Sequence, residues 1–518
     1  MLIDDHLLLN YKRCHRRTFL EIYGDRQLQD PEKEFVAKLK RENKTHISNV
    51  IRQRWLKACE PNTSFGERPQ ASRRDWQLNA AQTVALMAAG ADYIVNGSLV
   101  VDSTQWQASL ADRFRELLPW QHQEWDSIIF VAAPTILIKQ PGKSKFGDWE
   151  YFPVNIKLGR RAKPEYKLIA AFHAQVLALT QETISSQSQL ILKEHQDYWV
   201  NMTHWLSKMQ YTIVDCLTML LANREPEVFI SRQRCNLCHW YSHCYHIAKS
   251  TEHLSLVPGV TPGRYEHLQA IGIRDFESLV AASESHLQEI LEGEVARQIK
   301  QQAIALKSDR PLVRSGFDLV HTQPIPTGAI ELYFDIEAEP ERQIDYLLGV
   351  LLVDRTNNSE QFYAFLAETP DQEAQIWQQF LDFVALYPDA PIFHYSEYEA
   401  DTIIRLSKLY DTPRDTTQEL LSRLVDLHLW VMRSAILPVE SYSLKALANW
   451  IGFAWRDSSG SGDRAVCWYD RWLLTQDRDL LELILNYNED DCRATRHLKD
   501  WLLDFLEHQR NLQIVNLR

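Results

Sequence analysis

The sequence is poor in the residues that interrupt or staple a chain: 17 Gly, 20 Pro and 8 Cys in 518 residues. That scarcity excludes collagen-like and low-complexity classes, and 45% hydrophobic with 24% charged residues excludes a disordered chain. Long apolar runs are missing too. The longest, Ile128 to Ile138, is broken by Pro134 and is about half of the roughly 20 residues a membrane helix requires, so no membrane partner is expected. The opening MLIDDHLLLNYKRC lacks the basic start, apolar run and cleavage site of a secretion signal, which predicts a cytoplasmic chain with reduced thiols. No G-x4-G-K-[ST] phosphate loop occurs, so the sequence carries no helicase motif and identifies no helicase or repair partner.

What is present is length enough for two to four domains at roughly 150 residues each. The net charge of −13 argues at first against a nucleic-acid partner. Its distribution reverses that reading. Residues 321–518 carry 17 Lys+Arg against 33 Asp+Glu, whereas residues 1–320 carry 39 against 36. The first part is mildly basic and the last is acidic, which predicts units of different chemistry.

Cys235, Cys238 and Cys244 form a C-x2-C-x5-C run, and Cys14 lies far upstream in YKRCHRR. In a reducing compartment such a cluster reads as metal binding. Zinc is the default, with His239, His243 or His246 as a fourth ligand, and an iron–sulfur cluster on four thiolates is the rival. Cys59, Cys216, Cys467 and Cys492 are isolated and read as small buried hydrophobes.

Tyr11-x2-Cys14 with basic neighbours, then about two hundred residues, then C-x2-C-x5-C resembles the iron–sulfur nucleases of the RecB-like superfamily, including CRISPR-associated RecB-like exonucleases. The resemblance implies a 4Fe–4S cluster on Cys14, Cys235, Cys238 and Cys244 that clamps the ends of a PD-(D/E)xK nuclease domain. Strand-like stretches at ADYIVNGSLVV, QASLADRFRELL, DSIIFVAAPTILI and WEYFPVNIKLG, then a helix from about Pro164 to Thr180, suit that fold. Its metal-binding Asp corresponds to Asp112 and its catalytic Lys to Lys157, but Asn155 stands where the second acid belongs, and Ile169 and His173 replace the family's Gln-x3-Tyr. These changes leave two expectations, a nuclease still active with an altered site and a degenerate one kept for DNA binding and architecture. Lys157, Arg160, Arg161, Lys163 and Lys167 form a basic stripe suited to phosphates.

LSLVPGVTPGRYEHLQAIGIRDFESLVAAS resembles a helix-hairpin-helix element, whose Gly turn can cradle a phosphate. Residues 308–328 read as a linker. Beyond it, ELYFDIEAEP is a strand on which Asp335 and Glu337, two apart, share a face. Glu399 opens a helix after the strand PIFHY, and Tyr487 and Asp491 lie one turn apart on a long C-terminal helix, while the adjacent Glu489 and Asp490 read as surface residues. Lys445 is given no chemistry.

D-x-E, then an acid after HYSEY, then Y-x3-D resembles the DEDD exonucleases of the RNase H-like superfamily, with Glu399 in place of the usual Asp. The resemblance implies two Mg2+ or Mn2+ ions on Asp335, Glu337, Glu399 and Asp491, with Tyr487 assisting the attacking water, and release of nucleoside 5′-monophosphates from a 3′ end. The expected architecture is therefore α/β and multidomain: a RecB-like PD-(D/E)xK core with its cysteine cluster (1–250), a hairpin segment (251–307), a linker (308–328) and an RNase H-like exonuclease domain (329–518). The expected substrate is DNA with a free or single-stranded end. The competing expectation is a non-catalytic nucleic-acid-binding scaffold.

Overall fold

The computed structural model describes residues 1–56, 65–67, 75–110, 112–117, 121–183, 187–194 and 196–516. The fold is mixed α/β and multidomain, in two units: Met1–Val228 with Arg232–Cys244, and Phe229–Ser231 with Tyr245–Arg518. No helix among the described residues is long and apolar enough to cross a membrane.

In the first unit, Ile136–Ser144 and Gly147–Ile156 form an antiparallel hairpin at the centre of a six-stranded sheet. The strand Gln189–Ile191 lies parallel to Gly147–Ile156, after the crossover helix Pro164–Gln181. Alternation along Gly147–Ile156 divides its side chains. Phe152, Val154 and Ile156 join a cluster with Val50 and Ile136, whereas Tyr151 packs into the core that contains Leu168, Phe172 and Val176 of the crossover helix. Asn155 and Lys157, in step with Tyr151, stand on that helix-covered face. A second sheet, in the order Leu2–Asp4, Ile129–Ala132, Leu99–Asp102, places the helix Asp5–Arg13 beside the same core.

One expected strand is corrected. Where described, QASLADRFRELL holds no strand: it contributes to the helices Ser103–Ala108 and Asp112–Arg115 and is otherwise turn or bend. Asp102 accepts from the Gln105 N–H while the Gln105 side chain returns to the Asp102 N–H, a reciprocal cap that starts a helix before any ladder can form.

The second unit opens with the helices Pro262–Ala270, Phe276–Ala281, Glu284–Gln288 and Gly293–Ser308 around Leu254, Leu268, Leu279 and Ile299. Gly272 (φ +84°) turns the chain between the first two, a backbone region that disfavours a side chain. The segment 308–328, expected from the sequence to be a linker, is folded onto the C-terminal domain. Leu312–Val313 pairs with Ala435–Ile436, and Leu319 and Ile325 join a buried cluster with Val431 and Leu506.

The C-terminal domain is built on a five-stranded sheet in the order Ser359–Leu366, Ile344–Asp354, Ile330–Glu339, Ile392–His394, Leu424–Asp426. The first three are antiparallel and the last two run parallel to Ile330–Glu339. On the central strand, Leu332, Phe334 and Ile336 face a core with Phe380 of the helix Glu373–Ala385 and Trp468 of the helix Gly462–Thr475. Burying side chains of this size contributes about 1.5–3 kcal/mol each. The alternate residues, Glu331, Tyr333, Asp335 and Glu337, face the other way. There the 39-residue helix Arg478–Asn516 crosses the sheet, and Lys499 meets Glu331 at 2.7 Å.

Candidate active site

The central strand and the terminal helix approach closely because Gly349, the register partner of Asp335, has no side chain. A Cβ there would lie 1.6 Å from Asn488 Oδ1. The space lets Asn488, fully buried, donate from Nδ2 to Asp335 Oδ2 at 2.7 Å. One turn of helix then aligns Tyr487 and Asp491 over the strand end, where the strand bulges between Glu337 and Ala338.

Asp335, Glu337 and Asp491 each bring a carboxylate oxygen within 4.8 Å of the other two. Glu399 lies next to this group rather than within it, its charge felt at Asp335 and its carboxylate 3.3 Å from His394 Nδ1. The turn that delivers Glu399 is held by Asp426, which accepts from the Ser396 N–H at 3.2 Å while Ser396 occupies φ +99°, unusual for a residue with a side chain. Asp491 accepts from the Trp455 indole N–H at 2.7 Å.

Crowded, buried carboxylates resist ionisation. Burial, then the charges of Asp491, Glu337 and Glu399, push the Asp335 carboxyl well above the ordinary range. Burial and Asp491 do the same to Glu337. Asp491 is pushed up to about 7 by burial, despite the opposing hydrogen bonds from Trp455 and Tyr487. Glu399 is also raised by burial, against the lowering effect of His394. Burial and the neighbouring carboxylates hold the Tyr487 hydroxyl protonated, able to donate.

This donor set fits hard divalent cations, which take oxygen ligands and would relieve the repulsion among the three acids. Asp335, Glu337 and Asp491 would hold such an ion, with Glu399 at its margin.

Residues 332–503 match a family model of the RNase_H superfamily. No curated protein matches the chain. The C-terminal domain is RNase H-like, which points to nuclease-type hydrolysis of nucleic acid and to divalent-metal chemistry at the carboxylate group.

Several residues at this site carry no motif signal of their own. Trp455 and Asn488 are reached only through tertiary packing, and Lys445, left without chemistry by its sequence, sits where its charge lowers the Asp491 pKa and its ammonium donates to the Ser458 and Gly460 carbonyls. Asp490 is a correction. It is buried, accepting from the Arg456 backbone N–H and Nε at 2.8 Å each, while Glu489 pairs with Arg456 and Arg493.

In the first unit, Asp112 falls in the short helix Asp112–Arg115, and its side chain lies outside the described residues. Lys157 follows the strand Gly147–Ile156 and is half-buried, 5.9 Å from the Tyr166 ring centroid, with its pKa lowered by burial despite the nearby Asp5. Cys14 separates the helices Asp5–Arg13 and His15–Tyr23, and its Sγ accepts from the Arg17 N–H at 3.4 Å. Cys238 and Cys244 lie close enough to Cys14 for its charge to help raise their pKa values, over a small core of Phe19, Leu20 and Trp240. Cys235 precedes them in the turn closed by the Cys238 N–H to the Cys235 carbonyl. Burial pushes the Cys244 thiol up to about 11. His239, a zinc-ligand alternative, is engaged with Glu21 at 2.8 Å. Cys216, Cys467 and Cys492 are buried, and Cys59 lies outside the described residues.

Proposed function

We propose that the chain is a metal-dependent nuclease whose C-terminal domain removes nucleotides from the 3′ end of DNA. The observation that carries this reading is the convergence of Asp335, Glu337 and Asp491 beneath Tyr487 in an RNase H-like domain. The polarity and the preference for DNA rest on the resemblance of Asp335-x-Glu337, Glu399 and Tyr487-x3-Asp491 to the DEDD exonucleases. Asp335, Glu337, Glu399 and Asp491 would hold two Mg2+ or Mn2+ ions, which when bound supply Lewis-acid stabilisation at the scissile phosphate. The Asn488 amide fixes the rotamer of Asp335, and Trp455 does the same for Asp491, so that the carboxylates are positioned before substrate arrives. The protonated Tyr487 hydroxyl orients the attacking water by hydrogen bonding.

The N-terminal unit is read as a RecB-like PD-(D/E)xK domain that binds the strand, with a 4Fe–4S cluster on Cys14, Cys235, Cys238 and Cys244. The antiparallel hairpin, crossover helix and parallel strand of its larger sheet support this, as does the proximity of Cys14, Cys238 and Cys244. Lys167, 4.6 Å from the Tyr198 ring centroid and 5.7 Å from that of Trp205, supports a track where cations and aromatic faces meet a strand.

The test uses 5′-labelled single-stranded DNA and RNA of the same sequence, with and without Mn2+. The wild type is expected to release mononucleotides from DNA only with metal, and Asp335→Ala to lose roughly 10³-fold in rate, equivalent to about 4 kcal/mol. Equal, metal-independent degradation by both proteins overturns the C-terminal assignment, and no degradation with or without Mn2+ leaves the binding scaffold.

A further inference from the structure

Tyr487 is half-buried on the terminal helix, and its hydroxyl turns toward Asp491 one turn further on. A tyrosine on a helix has more than one staggered position open to it, so the ring stays beside the acids only if its neighbours hold it there. Two neighbours bound it. The Trp468 ring meets it on edge, with 6.5 Å between centroids. The other is the backbone of Gly460, so close that a Cβ there would stand 2.8 Å from Tyr487 Cδ2. Gly460 is buried although Ser458 and Ser459 beside it are exposed, and it ends a turn closed by its N–H to the Asp457 carbonyl at 3.0 Å.

An exposed turn does not by itself stay pressed on an aromatic ring, since water serves its carbonyls as well as the protein does. Here the carbonyls are gathered by a charge. The Lys445 ammonium, from the helix Leu444–Trp450, donates to the Ser458 carbonyl at 2.9 Å and to the Gly460 carbonyl at 2.6 Å. Two of its three N–H donors are spent on the turn, in bonds that the positive charge strengthens. Arg464, of the helix Gly462–Thr475, adds a second tie: it donates to Ser459 Oγ while its guanidinium lies 5.2 Å from the Trp468 ring centroid. The turn is thereby joined to both of the elements that flank the tyrosine ring.

We propose that Lys445 is a positioning residue for Tyr487: by holding the Ser458 and Gly460 carbonyls on its ammonium, it clamps the Asp457–Gly460 turn against the tyrosine ring and keeps the hydroxyl beside the carboxylates. The consequence for cleavage rests on the reading of the C-terminal domain as a nuclease, whereas the clamp is a matter of packing. Lys445 acts through the turn and not on the substrate.

Lys445→Met keeps the apolar stem and removes the donors. The placement of Tyr487 is read on the full chain by nitration with tetranitromethane and mass spectrometry of the tryptic peptide 479–493, in which Tyr487 is the sole tyrosine. Tyr487 is expected to be nitrated several-fold faster in Lys445→Met, and at the wild-type rate in Lys445→Arg, whose guanidinium can still donate to two carbonyls. With saturating Mn2+ and single-stranded DNA, Lys445→Met is expected to lower kcat about 10-fold with KM for DNA unchanged, as misplacing a group at the reacting centre does. In a Tyr487→Phe background the same change is expected to cost nothing further, because the two residues act as a unit. Unchanged nitration in a Lys445→Met protein whose circular dichroism matches wild type overturns the inference. So does a kcat loss that persists in full in the Tyr487→Phe background, or a raised KM with kcat unchanged, which would put Lys445 on the substrate. If Lys445→Met does not fold, Gly460→Ala decides: its methyl presses on the ring from the turn itself and is expected to speed nitration, and an unchanged rate there overturns the inference. A wild type without metal-dependent cleavage sinks the nuclease reading alone, because nitration still decides the clamp.

Discussion

At the scale of single residues, the C-terminal site is a balance between carboxylates that repel one another and neighbours that hold them in place. Trp455 donates its indole N–H to Asp491 at 2.7 Å. Trp455→Phe keeps the packing and removes the donor. It is expected to lower metal-dependent cleavage about 10-fold and to raise the Mn2+ concentration for half-maximal activity, as outer partners of metal ligands commonly do. Metal titration of the cleavage rate checks this. The protonation equilibria give a second prediction. Asp335, Glu337, Glu399 and Asp491 all have folded pKa values above those of an unfolded chain, Asp491 at about 7. Groups raised in this way favour the folded state below the unfolded pKa of about 4, and that contribution is lost as pH rises through the folded values. Chelator-treated protein is therefore expected to melt at lower temperature at pH 8 than at pH 5.5. Mn2+ should recover the loss at pH 8, and Asp335→Asn should reduce both effects.

At the scale of elements, the decisive contact is between the strand Ile330–Glu339 and the helix Arg478–Asn516. The opposing charges along it, Lys499 on Glu331 and Arg355 bridging Glu331 to Asp500, are buried or half-buried and set the register of helix on strand. Gly349 sets the distance. Gly349→Ala places a methyl against Asn488 and is expected to cost about 1–3 kcal/mol of the overpacking kind. Chemical denaturation measures it, and adding Asn488→Ala should return part of the loss, since the two residues compete for one space.

The motifs on these elements are legible because they follow local periodicity. Asp335 and Glu337 share a face by the two-residue repeat of a strand, and Tyr487 and Asp491 by the turn of a helix. Asp490 escapes such a reading for a related reason. Its place on the helix suggests solvent, but the chain at Arg456 folds back over it and supplies two donors. The stretch QASLADRFRELL suggests a strand because a short apolar pattern does not separate the two periods, and the cap at Asp102 decides the matter locally.

At the scale of the whole molecule, the proposed cysteine cluster would join Cys14 to residues more than two hundred positions later, closing a very long loop. A cross-link of that span restricts the unfolded chain by on the order of 4–5 kcal/mol. Cys14→Ser is expected to abolish bound iron in an anaerobic preparation and to make the N-terminal unit the first to be cut by protease. Hydrogen exchange across residues 330–507 should be unchanged. Elemental analysis that finds zinc and no iron in the wild type would reassign the metal.

The sequence by itself determined the division of charge, the mixed α/β class, the D-x-E and Y-x3-D spacings and the cysteine run, because each is a property of neighbouring residues or of composition. Tertiary structure alone decided which groups meet. It set Asn488 and Trp455 on the acids, Lys445 near Asp491, and Asp5 against His173, partners far apart in the chain. Such meetings depend on how strands and helices pack over long distances, and on small residues such as Gly349 that let them approach, which no local pattern records.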